Sequence, residues 1–98
     1  MAGRSKAIII NEKDNVATAV AALKKGSVVA LERQGKTDKV KVVAPIPMGH
    51  KFALQDIDEG TDVMKYGEPI GYTTTRIARG EHVHVHNVAS HRGKKEKT

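Results

Sequence analysis

Three stretches of this chain share one spacing: an apolar residue, two intervening residues, a glycine, two more residues and a valine. They are LKKGSVV (23–29), IDEGTDV (57–63) and IARGEHV (77–83). A glycine at such a position supplies the positive φ of a tight turn, after which a strand can begin. Repetition at a fixed spacing predicts one corner device used several times in a compact, mainly β domain.

The segments between the corners agree. AIII (7–10) is short and β-branched, SVVALE (27–32) and VKVV (40–43) flank the polar turn RQGKTDK (33–39), and DVMKY (62–66), IGYTT (70–74) and HVHVHNV (82–88) are further short strands. Each has strand composition and is bounded by glycine, proline or polar clusters. Pro45 and Pro47 cannot donate to a ladder, so 44–51 is expected to be an irregular connector leading to a short strand at 52–54. One stretch changes period. Val16, Val20 and Leu23 fall at i, i+4 and i+7, with Asp14 or Asn15 available as a cap and Gly26 just beyond. That spacing predicts a single helix. The expected fold class is therefore α+β, mainly β with one helix.

With 98 residues there is room for one small core, and with Phe52, Tyr66 and Tyr72 as the only aromatics, aliphatic side chains must fill it. No cysteine is present, which excludes disulfides and thiolate ligands and suits a reducing cytoplasm. No apolar run approaches the ~20 residues of a membrane span. The run Ala7 to Ile10 is also shorter than the ~7–15 residues of a signal peptide. Most of the net charge of +6 comes from the ends: Ala7 to Val88 carries eleven Lys/Arg against ten Asp/Glu. A neutral body without aromatic platforms argues against a nucleic-acid partner. The expected organisation is a flexible tail at 1–6, a domain at 7–88 and a basic flexible tail at 89–98.

The chemically richest stretch is GEHVHVHNV (80–88), where His82, His84 and His86 alternate with valines. On a straight strand alternate residues share a face, ~6.5–7 Å apart, so His82 and His86 would be separated by ~13 Å. Metal–nitrogen bonds of ~2.0–2.1 Å then allow a pair, 82/84 or 84/86, and not all three histidines on one ion. The alternative is a solvated strand face with no ligand. His50 and Lys51, after Gly49 in the connector, are candidates to bind a carboxylate, or are simply part of a solvated loop. Asn87 is expected to make a strand-end hydrogen bond.

At this point a family resemblance enters. The ordered marks Gly49-His50-Lys51, Ala53-Leu54, Asp56-Ile57 with Gly60, Tyr66-Gly67 with Ile70-Gly71, and Gly80 with Val83-His84-Val85-His86-Asn87 resemble the SAF domain of the altronate/galactarate dehydratase family. The resemblance covers residues 47–88, with a looser match upstream over INEKDNVATAVAALKKG. It implies a β-clip-like fold of short bent strands. It also implies a hydro-lyase that dehydrates a sugar acid such as altronate to a 2-keto-3-deoxy acid, with a divalent metal, iron in the first instance and Mn2+ or Mg2+ as alternatives. The family's histidines correspond to His84 and His86, as metal ligands or as acid–base groups, and His82 falls where the family varies. His50 and Lys51 would serve the substrate. In a chain of this size the resemblance implies a cytoplasmic small subunit, inactive alone, in a hetero-oligomer with a large catalytic subunit. A sulfolactate sulfo-lyase small subunit is the nearest alternative, and a non-catalytic carbohydrate- or partner-binding SAF module the next.

Overall fold

The computed structural model describes residues 6–90. Nine strands follow one another: β1 (Ala7–Ile8), β2 (Val16–Ala19), β3 (Val28–Arg33), β4 (Lys36–Lys41), β5 (Lys51–Ala53), β6 (Asp62–Lys65), β7 (Glu68–Thr73), β8 (His82–Val83) and β9 (Val88–Ala89). They form a four-stranded sheet in the order β1-β2-β5-β8, the hairpin β3-β4 and a three-stranded sheet β6-β7-β9, with every pairing antiparallel.

The corner motif is real, and there are four copies rather than three. Leu23, Ile46, Ile57 and Ile77 each precede by three residues a glycine with φ between 82° and 90°, at Gly26, Gly49, Gly60 and Gly80. The copy missed by the valine pattern is IPMGHKF, in which Phe52 takes the valine's place. The corners join in two pairs. Leu23 and Ile46 exchange backbone hydrogen bonds of 2.8 and 2.9 Å, and Ile57 and Ile77 exchange bonds of 2.7 and 2.8 Å. Each pair brackets one hairpin, and each hairpin closes through a two-residue turn, Gln34–Gly35 or Tyr66–Gly67, in which both residues have positive φ. Such turns match the right-handed twist of the strands they join. The domain is thus two corner–hairpin–corner units, followed by β5 in one case and β8 in the other, and those two strands pair.

The central sheet separates two cores. Ala17, Ala19, Phe52 and Leu54 pack on one side with Leu23, Val29, Leu31, Val40, Val42 and Ile46. Val16, Ala53 and Val83 pack on the other with Ile57, Val63 and Ile77.

This layering corrects the expected helix. Residues 16–19 form β2, and no helix is present among the described residues. A strand buried on both faces reads as an unbroken apolar run rather than an alternating one, and in VATA the Val-Ala-Thr-Ala run produced a false helical stripe. Val20, placed on that stripe, is exposed. The two expected cap residues serve tertiary contacts instead. Asp14 accepts from the backbone N–H groups of Tyr66 and Gly67, tying the second hairpin turn to the start of the domain. Asn15 donates to the Asp62 carbonyl and accepts from the Met64 N–H, filling the irregularity in β6 between Val63 and Met64.

Two further expectations change. The turn 33–39 contracts to Gln34–Gly35, and the strand 82–88 breaks after Val83. At the ends, the Lys6 carbonyl accepts from the Val20 N–H and β9 extends to Ala89. The remainder of the expected tails, 1–5 and 91–98, lies outside the described residues.

Candidate functional site

His50 and His82 occupy related places in the two units. Each lies just after a corner glycine, His50 one residue beyond Gly49 and His82 two beyond Gly80, and the strands they lead into are neighbours. The His50 N–H donates to the Pro47 carbonyl and its carbonyl accepts from the Ala19 N–H, so its backbone is held on both sides. β5 and β8 then pair Lys51 with Val83 and Phe52 with His82, which carries His84 alongside His50 at the sheet's end.

The rings meet there. Nδ1 of His50 lies 2.9 Å from Nε2 of His82, a ring-to-ring hydrogen bond. The His50 and His84 rings stack at 4.0 Å between centroids, and those of His82 and His84 lie 5.6 Å apart and nearly parallel. One ligand atom from each of His50, His82 and His84 lies within 4.8 Å of the others, and among the described residues no carboxylate joins the group. His86 packs its ring against His82 at 5.1 Å, tilted by 33°, and is exposed.

The turn after β8 creates this arrangement, and a buried asparagine holds the turn. Asn87 accepts through Oδ1 from the His84 N–H and donates through Nδ2 to the His82 carbonyl, while its own N–H donates to the His84 carbonyl. The strand-end hydrogen bond expected of Asn87 is therefore present and doubled. Of the sequence-derived candidates, the structure brings His50 and His84 together, with Lys51 beside them. His86 stands outside the converging donors, and His82 takes its place. That membership was missed because a straight strand was assumed. The usable signal was that His50 and His82 each follow within two residues of a corner glycine.

Electrostatics favour the neutral form of His82 and His84. Burial lowers the affinity of His82 for a proton, and the charges of His86, His50, His84 and Lys51 add to the effect. His84 is lowered by loss of hydration, then by His50, Lys51 and His86. Lys51 is half-buried, and burial followed by the charge of Lys65 holds its ammonium below the usual lysine range. A neutral imidazole is the form that binds a metal. Lys51 and His84 also line a cleft of about 240 Å³ whose remaining wall includes Ile70, Val85 and Val88. A larger groove of about 530 Å³, between residues 9–13 and the two hairpin turns, contains none of these groups. No helix among the described residues is long and apolar enough to cross a membrane.

The chain is 49% identical over 80 residues to altronate dehydratase of Escherichia coli K12 and 44% identical over 80 residues to that of Bacillus subtilis 168, in each case 82% of this chain and 15% of the relative. It is 46% identical over 59 residues to (2R)-sulfolactate sulfo-lyase subunit alpha of Chromohalobacter salexigens, 60% of this chain and 63% of that subunit. These relatives are lyases, and the chain spans only a small part of the dehydratases. The family profile described as the altronate/galactarate dehydratase SAF domain matches residues 5–91, which takes in all of the described residues and the histidine cluster. The chain belongs to the SAF-domain family of the altronate/galactarate dehydratases.

Proposed function

We propose that this chain is the small, histidine-bearing subunit of a metal-dependent hydro-lyase acting in the cytoplasm. With a large catalytic subunit it would convert a sugar acid of the altronate type to a 2-keto-3-deoxy acid. The observation that carries this reading is the convergence of His50, His82 and His84, with Lys51 beside them at the lip of a cleft, in a chain of a dehydratase family.

Dehydration of a 2,3-dihydroxy acid removes the C2 proton and expels the C3 hydroxyl as water. The enol that results tautomerises to the 2-keto-3-deoxy acid. Two demands follow, a cation for the substrate carboxylate and a proton for the departing oxygen. Lys51 meets the first, and its partial burial strengthens its attraction for an anion. His86, which lies outside the converging nitrogens, is the candidate for the second, since an imidazole can hold and release a proton near neutrality. The nitrogen donors around His84 fit a divalent ion such as iron, which when bound would supply Lewis-acid stabilisation of the developing enediolate charge. The C2 proton acceptor is assigned to the large subunit, because the donor set here is spent on binding and on the leaving group.

A sulfo-lyase reading draws on one specific observation. The aligned segments make up 63% and 73% of two (2R)-sulfolactate sulfo-lyase alpha subunits, against 15% of the altronate dehydratases. Substrates of both kinds are hydroxy acids that lose a group from the carbon next to a carbinol.

The test is capture of the chain from its native cells with whatever binds it, followed by assay of the complex. Altronate, galactarate and (2R)-sulfolactate would be compared side by side, reading 2-keto acid and sulfite. A 2-keto-3-deoxy product from a sugar acid is expected. Sulfite from sulfolactate alone would select the second reading, and a metal-loaded complex inert to all three substrates would leave only a binding module.

A further inference from the structure

We propose that His50, His82 and His84 form a three-nitrogen metal site within this single chain, selective for a borderline transition ion and open to an anionic ligand. The assignment deepens the lyase reading and rests on it only for the ion's role. It departs from the adjacent pair His84 and His86, which the family motif picks out, and gives the third position to His82.

Distances carry the choice. Two nitrogens bound to one ion at ~2.0–2.1 Å lie ~3.0–3.4 Å from each other. His50 Nδ1 and His82 Nε2 are already 2.9 Å apart, bridged by a proton that an ion would replace. The ligand atom of His84 completes a triangle with no side above 4.8 Å, and the rings stack within 12–16° of parallel, so closure needs the side chains to turn toward a common point while the backbone stays in place. The backbone is fixed at every member, by the flanking bonds at His50 and by Asn87 at His82 and His84. His86 has no such hold and lies exposed.

Donor chemistry selects the ion. Three imidazoles favour Fe2+, Co2+, Ni2+ or Zn2+, whereas Mg2+ and Ca2+ prefer oxygen donors. Imidazoles bind an ion as neutral ligands, so three of them leave its full double charge uncompensated, with Lys51 next to His50 in the chain. The open positions therefore suit a chelating anion, and an α-hydroxycarboxylate supplies one negative and one neutral oxygen.

The experiment uses the full chain purified without a polyhistidine tag. Co2+ and Zn2+ binding is measured by titration calorimetry and by visible absorption of Co2+, with Mg2+ as the contrast. Replacing His50, His82 or His84 singly by alanine is expected to weaken Co2+ binding by more than about 100-fold, beyond the usual loss from an outer partner. His86→Ala is expected to change it less than about threefold. On the unmodified chain, Zn2+ should shift the imidazole 15N resonances of His50, His82 and His84 together, a readout that does not depend on any variant folding. Equal dependence on His86, indifference to His82, or Co2+ binding no tighter than Mg2+ overturns the assignment. Each of those results leaves turnover by the captured complex to decide the lyase reading separately.

Discussion

Replacing Gly80 by alanine separates this architecture from a merely glycine-rich loop protein, because the four corners provide their own controls. At Gly26, Gly49 and Gly60 an added Cβ meets nothing within 4 Å, so the penalty is conformational alone. Holding an L-residue at positive φ costs about 1–2 kcal/mol. Gly80 has the same φ of 85° but lies against the end of β4, where its Cβ would fall 2.1 Å from the Lys41 carbonyl oxygen and 3.2 Å from the Lys41 carbonyl carbon. Relieving that contact requires a displacement of roughly 1 Å in backbone that cannot rotate away. The same corner holds two bonds, from the Val43 N–H to the Gly80 carbonyl at 3.0 Å and from the Gly80 N–H to the Ala53 carbonyl at 2.8 Å. Overpacking of this kind adds about 1–3 kcal/mol. Gly80→Ala should therefore cost about 2–5 kcal/mol against about 1–2 for Gly60→Ala. In a domain of this size each kcal/mol lowers the melting temperature by about 4–8 °C. Urea and thermal unfolding of both variants beside the parent provide the assay. Equal destabilisation at the two sites would refute the close approach of this corner to β4.

Two other outcomes are expected. Asn87→Ala leaves the His84 N–H and the His82 carbonyl without their side-chain partner in a buried setting, costing about 2–3 kcal/mol. It should also weaken Zn2+ binding by about 10–100-fold, as loss of an orienting partner does, and calorimetry on the refolded variant checks both effects. Acid should destabilise the metal-free chain through His82 and His84. Both hold their protons less tightly in the fold than the ordinary value of 6.5, so the unfolded chain takes up protons first as pH falls. Stability is then unaffected above that value and declines as pH drops through 6.5 toward the lowered folded values. The pH dependence of the urea midpoint should flatten in the double variant His82→Gln/His84→Gln, and an unchanged slope would contradict the assignment.

Much of the fold was legible because it is written in local terms. A glycine three residues after an aliphatic residue fixes a corner by backbone sterics alone, and the two hairpins follow from composition between corners. What misled was burial on both faces. Val16, Ala17 and Ala19 serve opposite cores from one strand, and no periodicity distinguishes that from a short helix. The site was legible in its residues and not in its geometry. His50, Lys51 and His84 were candidates by motif and chemistry, and the structure stacks the first and last of them. The convergence of His82 in place of His86 depends on a turn held by Asn87 and on the pairing of β8 with β5. A tertiary pairing 30 residues away in sequence decides which imidazoles meet, as the 32-residue separation of His50 and His82 shows.

The gathering of those rings can be observed directly, without metal, partner or substitution. Nuclear Overhauser contacts between imidazole ring protons in the metal-free chain should link His50 to both His82 and His84, whose ring centres lie 5.1 and 4.0 Å away. A spectrum in which His50 touches neither ring, with strand-type backbone contacts running unbroken from His82 to Val88, would contradict the site and everything inferred from it.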